Sequence, residues 1–352
     1  MEDVYTRLAA HLDNLPAGFP PTESGVELRI LKQLFTPEEA EIAAGLIMMP
    51  ETPAAIANRL GVDPGPLADA LADMSRKGLV FRMTKNGETR YMAAQFVIGI
   101  WEYHVNDLDE DLIRDFNEYV PTLMKKSWER TKTKQLRVVP VARSISAQTT
   151  IMPYDEVEKM VRKQKKIVVA PCICRREHEM VGKGCGKPME TCLVFGGGAF
   201  FYEENGLGRS IDGDEAVDLL HKGVEAGLVL QAGNSQRPMN ICMCCGDCCQ
   251  ILKNLNTLET PADAVCASFR AEADPENCTA CEACVDGCQM AAIEVEETAR
   301  ILAERCIGCG LCVALCEFDA LRLVEKGPED RRVPPAHTVE TYMNMARERG
   351  LM

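Results

Sequence analysis

The chain repeats one spacing, C-x2-C-x2-C-x3-C, first at Cys278, Cys281, Cys284 and Cys288 and again at Cys306, Cys309, Cys312 and Cys316. Three thiolates set so close together must come from one tight loop. Such a loop offers them to three corners of one small metal–sulfur cube, and the fourth ligand arrives from a more distant point of the chain. Small residues between them, Ala280, Ala283, Gly308 and Gly310, let the backbone approach and point N–H groups at sulfur. Zinc sites and disulfides also use cysteine, but neither calls for the duplicated spacing.

The two runs resemble those of bacterial ferredoxins that carry two [4Fe-4S] clusters, over about residues 270–325. The resemblance implies that the fourth cysteine of each run serves the other cluster. Cys278, Cys281 and Cys284 are then grouped with Cys316, and Cys306, Cys309 and Cys312 with Cys288. One departure stands out: Gln289 and Glu317 follow the fourth cysteines, where those ferredoxins usually have proline. Proline would stiffen the chain leaving the ligand. Its absence removes no thiol.

At 352 residues the chain is long enough for two to three domains, so an electron-carrier module is one part of a larger protein. Asp and Glu total 53 against 39 Lys and Arg, a formal net charge of −14, which argues against generic attraction to nucleic acid or an anionic membrane. No membrane insertion is expected, because the apolar stretch Ala93 to Trp101 is interrupted by Gln95 and is too short to span a bilayer. The opening residues carry Glu2 and Asp3 and no apolar core segment, so no secretory signal is read. The expected setting is therefore cytoplasmic, reducing and anaerobic, with cysteines as cluster ligands and not as a disulfide framework.

Residues 29–95 read as three helices and a hairpin. Thr36 with Pro37 and Glu39 makes a capping box, Thr52 and Pro53 start a second helix that stops at Gly61, and Asp63 and Pro64 start a third. Asn86 and Gly87 mark the hairpin turn. This order resembles a winged-helix domain, but its third helix offers Asp69 and Asp73, with Arg76 and Lys77 only near its end. A DNA reader brings basic and amide side chains to that position. The domain is expected to dock protein and to be the seat of any homodimer; no specific nucleic acid is expected. Residues 106–136 read as a helical linker region turning from acidic to basic, its first helix ending before Pro121 and its basic group being Lys125, Lys126, Arg130, Lys132 and Lys134. That group is a solvated face or a docking patch for an acidic partner.

Residues 137–266 read as a cysteine-rich α/β module, extended from Arg137 to Ile151, helical from Tyr154 to Lys163, with an apolar strand at Ile167 leading to Cys172. It carries ten of the 18 cysteines. A third [4Fe-4S] cluster is expected there, on four thiols drawn from Cys172, Cys174, Cys185, Cys192, Cys242, Cys244, Cys245 and Cys248, with zinc or a less ordinary cluster as alternatives. Adjacent cysteines, Cys244 with Cys245 and Cys248 with Cys249, do not easily serve one metal. Arg175 and Arg176 follow the first pair and either offset its charge or form surface ion pairs. The glycines Gly196, Gly197 and Gly198 allow close backbone approach to a cluster or cofactor, but the full phosphate fingerprint is missing, so flavin is not expected. Asp212 and Glu215 cap a helix that Gly227 ends. The two-cluster ferredoxin domain is read at 267–326 and a C-terminal tail at 327–352.

The segment from Pro171 to Arg176, the stretch from Cys192 to Arg209 and the dense cysteine run resemble a broad group of uncharacterised 4Fe-4S ferredoxin-type proteins of anaerobic microbes. That resemblance implies a multidomain α+β architecture with a winged-helix-like start and a ferredoxin end, without a known reaction. The leading expectation is an electron-transfer adaptor or subunit serving a partner redox enzyme or flavoprotein. One alternative is an oxidoreductase reducing a substrate at the central cysteines; another is a redox-sensing winged-helix transcription regulator. No general acid or nucleophile constellation is legible, so no catalytic residue is named; His178 and His221 read as structural or surface residues.

Overall fold

The computed structural model describes residues 3–141, 152, 155–327 and 329–352. The chain divides into two compact units. One comprises residues 1–132, 200–208 and 342–352; the other comprises 133–199 and 209–341.

The first unit opens with helices α1 (Val4–Asp13), α2 (Val26–Leu34), α3 (Pro37–Ala44), α4 (Pro53–Leu60) and α5 (Pro64–Arg76). Their starts follow from local chemistry: Thr36 and Glu39 close a reciprocal capping box, Thr52 caps through Ala55 N–H, and Gly61 ends α4 at φ +72. The antiparallel hairpin β1 (Phe81–Lys85) and β2 (Glu88–Met92) follows. A short turn, α6 (Trp101–Tyr103), then leads to α7 (Glu110–Arg130). The linker was expected to hold two helices broken at Pro121; α7 instead runs straight through it. A proline inside a helix costs about 3 kcal/mol. The buried face of Phe116, Tyr119, Val120, Leu123 and Met124 holds both sides of Pro121 against the core and offsets that cost. Trp101 stacks on Phe116 with ring centroids 3.5 Å apart, and Phe19 packs against Phe96 and Tyr119.

Burial lowers the pKa of His11 and of His104, against hydrogen bonds to the backbone at Leu46 and Ile100. A base whose folded pKa is depressed binds fewer protons folded than unfolded. Stability is therefore full above the unfolded value of about 6.5 and declines as pH falls below it. Both tryptophans, Trp101 and Trp128, belong to this unit. Tryptophan fluorescence in denaturant titrations should show a midpoint that drops between pH 7 and pH 5, and a His104→Gln chain should show a smaller drop. An equal drop in the variant removes His104 as a cause.

The second unit contains β3 (Leu136–Val139), α8 (Val157–Arg162), β4 (Ile167–Pro171), α9 (Ile173–Met180), β5 (Glu190–Phe195), the start of α10 (Gly196–Glu204), β6 (Arg209–Ile211), α11 (Gly213–Glu225), β7 (Val229–Gly233), β8 (Asn240–Cys244) and α12 (Gln250–Asn256). The six strands form one sheet in the order β3-β7-β8-β5-β4-β6, and every pairing is antiparallel. The expected α/β character of this module therefore gives way to α+β, since no pair of neighbours is parallel. The extended stretch expected from Arg137 begins as β3, while 142–151 and Tyr154 lie outside the described residues. Asp212 caps α11 through Asp214 and Glu215 N–H, and Gly227 follows its end at φ +73.

Beyond it come β9 (Phe269–Ala273), α13 (Ala283–Asp286), β10 (Ile293–Val295), β11 (Ala299–Ile301), α14 (Leu311–Leu315) and β12 (Leu321–Glu325). Strand β9 pairs with β12 and β10 with β11, both antiparallel. The duplication in the sequence is a duplication of backbone. Left-handed residues recur at equivalent positions of the two runs: Ala280 and Gly308, Glu282 and Gly310, Ala291 and Asp319. The final helix, α15 (Thr338–Glu348), spans the boundary at Tyr342.

Candidate metal centres

Two thiol-lined hollows lie in the carboxy-terminal duplication. One is lined by Cys278, Cys281, Cys284 and Cys316; the other by Cys288, Cys306, Cys309 and Cys312. Each hollow thus takes three thiols from one run and one from the other. The chain makes this grouping because α13 and α14 carry each fourth cysteine away from its own loop and across to its counterpart. Backbone N–H groups donate to sulfur: Ala299 to Cys278 at 3.2 Å, Ala292 to Cys288 at 3.3 Å and Ala271 to Cys306 at 3.4 Å. Burial pushes the Cys309 thiol up to about 12 and raises Cys284, Cys288 and Cys312 as well. Thiols so placed ionise only with a compensating positive charge, which a coordinated metal supplies. A set of four soft donors, N–H groups aimed at sulfur and a hollow between them fits a [4Fe-4S] cluster in each case.

Residues 277–320 match the family model of the 4Fe-4S dicluster domain. This part of the chain is an iron–sulfur module of the electron-transfer kind. No curated protein and no solved structure matches the chain.

The glutamine that stands in place of proline has a structural task. Gln289 Oε1 accepts from Gly246 N–H at 2.6 Å, its Nε2 donates to the Gly227 carbonyl at 3.0 Å, and its own carbonyl accepts from Asn256 Nδ2 at 2.8 Å. Gly246 lies in the loop between Cys245 and Cys248. The chain leaving Cys288 is thereby fastened to the dense cysteine run. Proline offers neither side-chain bond.

In the middle module, nine of the ten thiols come from the start of α9 (Cys172, Cys174), the loop before β5 (Cys185), β5 (Cys192), β8 (Cys242, Cys244), the loop that follows it (Cys245, Cys248) and the N-cap of α12 (Cys249). Cys192 is the register partner of Cys242 across β5 and β8. Cys172 and Cys249 occupy the N-cap positions of α9 and α12. Contact with Cys192 holds Cys242 well below the ordinary thiol value, and contact with Cys174 does the same to Cys249; contact with Cys172 raises Cys174, and contact with Cys242 raises Cys244. Such alternation is what neighbouring sulfurs sharing protons produce. Cys249 was absent from the eight thiols expected to bind metal here, although it touches two of them. Its signal was its place directly before an amphipathic run that could start a helix. Cys266 is held apart, 3.6 Å from Asn234 Oδ1.

Arg175 is 2% exposed, which rules out the surface ion pair for this residue. It donates to the carbonyls of Pro188 and Met243 and to Thr191 Oγ1. Despite burial, its pKa is raised by the Cys172, Cys245 and Cys244 sulfurs. Three residues on from Cys174, the fully buried Glu177 accepts from Gln250 Nε2 at 2.5 Å and lies 3.3 Å from His178 Nδ1. His178 Nδ1 also meets the Cys174 carbonyl, and its Nε2 meets Lys253 Nζ at 3.0 Å, so this histidine ties α9 to α12. His221 is half exposed and pairs with Glu158. The glycine stretch does not approach the thiols: Gly196 and Gly197 begin α10 and line an open hollow with Met160, Gln164, Arg237 and Met239, and no cysteine lines it.

Among the described residues no helix is long and apolar enough to cross a membrane. Several basic residues of the first unit pair with acids: Arg76 with Asp73, Lys77 with Glu39, Arg90 with Glu88, Lys126 with Glu129 and Arg130 with Asp13.

Proposed function

We propose that the chain is an iron–sulfur electron-transfer adaptor that passes single electrons to or from a partner redox enzyme. Two [4Fe-4S] clusters on the eight thiols of the carboxy-terminal duplication and a further metal centre in the middle module equip it for that role. When bound, such clusters supply reversible one-electron storage with little change in geometry. The chain's own residues supply the setting. Ala271, Ala292 and Ala299 N–H groups stabilise negative charge on sulfur. The carrying observation is Gln289, the residue after Cys288, whose side chain accepts from Gly246 N–H in the loop of Cys245 and Cys248 at 2.6 Å and donates to the Gly227 carbonyl at 3.0 Å. An independent carrier module has no need of that attachment.

The ion-paired basic residues of α5 and the hairpin weigh against a DNA-reading regulator, since neutralised side chains release few counterions from phosphate. A screen against fragmented genomic DNA at low and near-physiological salt should return no enriched sequence in either redox state.

The adaptor reading is tested by anaerobic purification from the native cell, identification of bound proteins and reduction assays with each. A chain that turns over a small substrate alone, and exchanges electrons with none of the bound proteins, belongs instead to the oxidoreductases. Gln289→Ala gives a second test. It leaves the Gly246 N–H and the Gly227 carbonyl without this partner, at a cost of about 1–3 kcal/mol. Iron content should hold, while stopped-flow reduction of the upstream signal slows severalfold. Unchanged rates in a chain so destabilised would remove Gln289 from the argument.

A further inference from the structure

The middle module carries more thiols than one metal centre uses, and the fold sorts them. Cys242 and Cys244 stand two apart on β8, so strand alternation turns both to one face. Cys192 of β5 lies opposite Cys242. The Cys174 side chain meets those of Cys172 and Cys249, Cys249 meets Cys244, and Cys244 meets Cys242. Six thiols therefore form one continuous line: Cys172, Cys174, Cys249, Cys244, Cys242, Cys192. The other three form a different figure. Among the described residues, Cys185, Cys245 and Cys248 are the one trio of potential ligand side chains whose donor atoms all lie within 4.8 Å of one another. Cys185 and Cys245 are 3.8 Å apart, and Cys248 meets both. Each adjacent pair is split, Cys244 and Cys249 going to the line and Cys245 and Cys248 to the trio.

We propose that the middle module holds two centres: a polynuclear iron–sulfur centre on the six-thiol line, and a separate site for one soft divalent ion, zinc or ferrous iron, on Cys185, Cys245 and Cys248. A tetrahedral ion takes four thiolates, so six in contact call for more than one metal. Thiolates about 2.3 Å from a shared zinc stand about 3.8 Å from each other, which is the Cys185–Cys245 separation, and all three sulfurs lie within 4.8 Å of one another. Three protein ligands leave one position for an exogenous ligand. Arg175 lies beside the trio: its buried guanidinium donates to the Pro188 and Met243 carbonyls and to Thr191 Oγ1, and its side chain also meets that of Cys245. The division rests on the metal-binding reading of this module but not on electron transfer.

The test uses the full chain, reconstituted anaerobically with iron, sulfide and zinc. Cys185→Ser should lose about one metal ion and no acid-labile sulfide. Cys174→Ser should lose about two or more irons together with sulfide, and keep the ion that Cys185→Ser loses. Cobalt loaded in place of zinc should give a thiolate charge-transfer band in the unaltered chain and in Cys174→Ser, and none in Cys185→Ser. Loss of the same iron and sulfide in both variants means one centre and overturns the division. Should a variant fail to fold, X-ray absorption at the zinc edge of the unaltered chain decides: sulfur neighbours without a metal neighbour support the separate site, and a metal at bridging distance overturns it. A chain with no metal beyond the carboxy-terminal clusters overturns the metal-binding reading of the module as well. Failure to exchange electrons with a partner touches only the adaptor role.

Discussion

Cys316→Ala and Cys278→Ala, made singly, will each remove or degrade one reduced-cluster signal, about one spin per chain, and the double variant will lose no more than either single. The reason is that both thiols line the same hollow, although they belong to different runs. Cys278→Ala combined with Cys288→Ala will instead lose both signals, because Cys288 lines the other hollow. Spin integration by electron paramagnetic resonance after dithionite reduction, with iron and sulfide analysis, reads the result. If each run held its own cluster the pattern would reverse, with Cys278 and Cys288 behaving as a unit and Cys278 and Cys316 adding.

Gly308→Ala will cost about 2–5 kcal/mol, combining left-handed strain with overpacking, and will prevent iron from entering the hollow of Cys306, Cys309 and Cys312. Gly308 has φ +69, and a methyl group there would sit 2.0 Å from the Phe269 carbonyl oxygen. That oxygen belongs to β9, which is paired along its length with β12 and cannot withdraw alone. The equivalent position of the first run already holds Ala280 at φ +54. Ala280→Gly should therefore be neutral or stabilise by about 1 kcal/mol. Denaturant titration of the anaerobic holoprotein, followed by cluster absorbance, compares the two. A Gly308→Ala chain that loads fully and melts with the parent would mean that β9 yields, contrary to its pairing.

Much of the fold was legible where the signals are local. The caps at Thr36, Thr52 and Asp212 and the stop at Gly61 appear where side-chain chemistry demands them, because each involves residues within one turn of the helix. Pro121 misled for the opposite reason. Its local preference is outweighed by a buried face that extends over both halves of α7. Gly196 and Gly197 show the limit of a local signal: freedom of backbone says that a close approach is possible, and only packing says to what.

The candidate sites divide along the same line. The sequence by itself determined that thiolates would meet soft metal in the carboxy-terminal part, since C-x2-C-x2-C-x3-C brings three donors together within one loop whatever surrounds it. It also determined the acidic balance that disfavours a phosphate backbone as partner. Only the tertiary structure decided which of two adjacent cysteines joins which group of thiols, that Cys249 meets Cys174 and Cys244, and that Gln289 reaches Gly227 and Gly246. Those outcomes depend on strand register between β5 and β8 and on contacts between residues tens of positions apart. Register is set by the burial of a whole sheet, and so no short stretch of the chain encodes it.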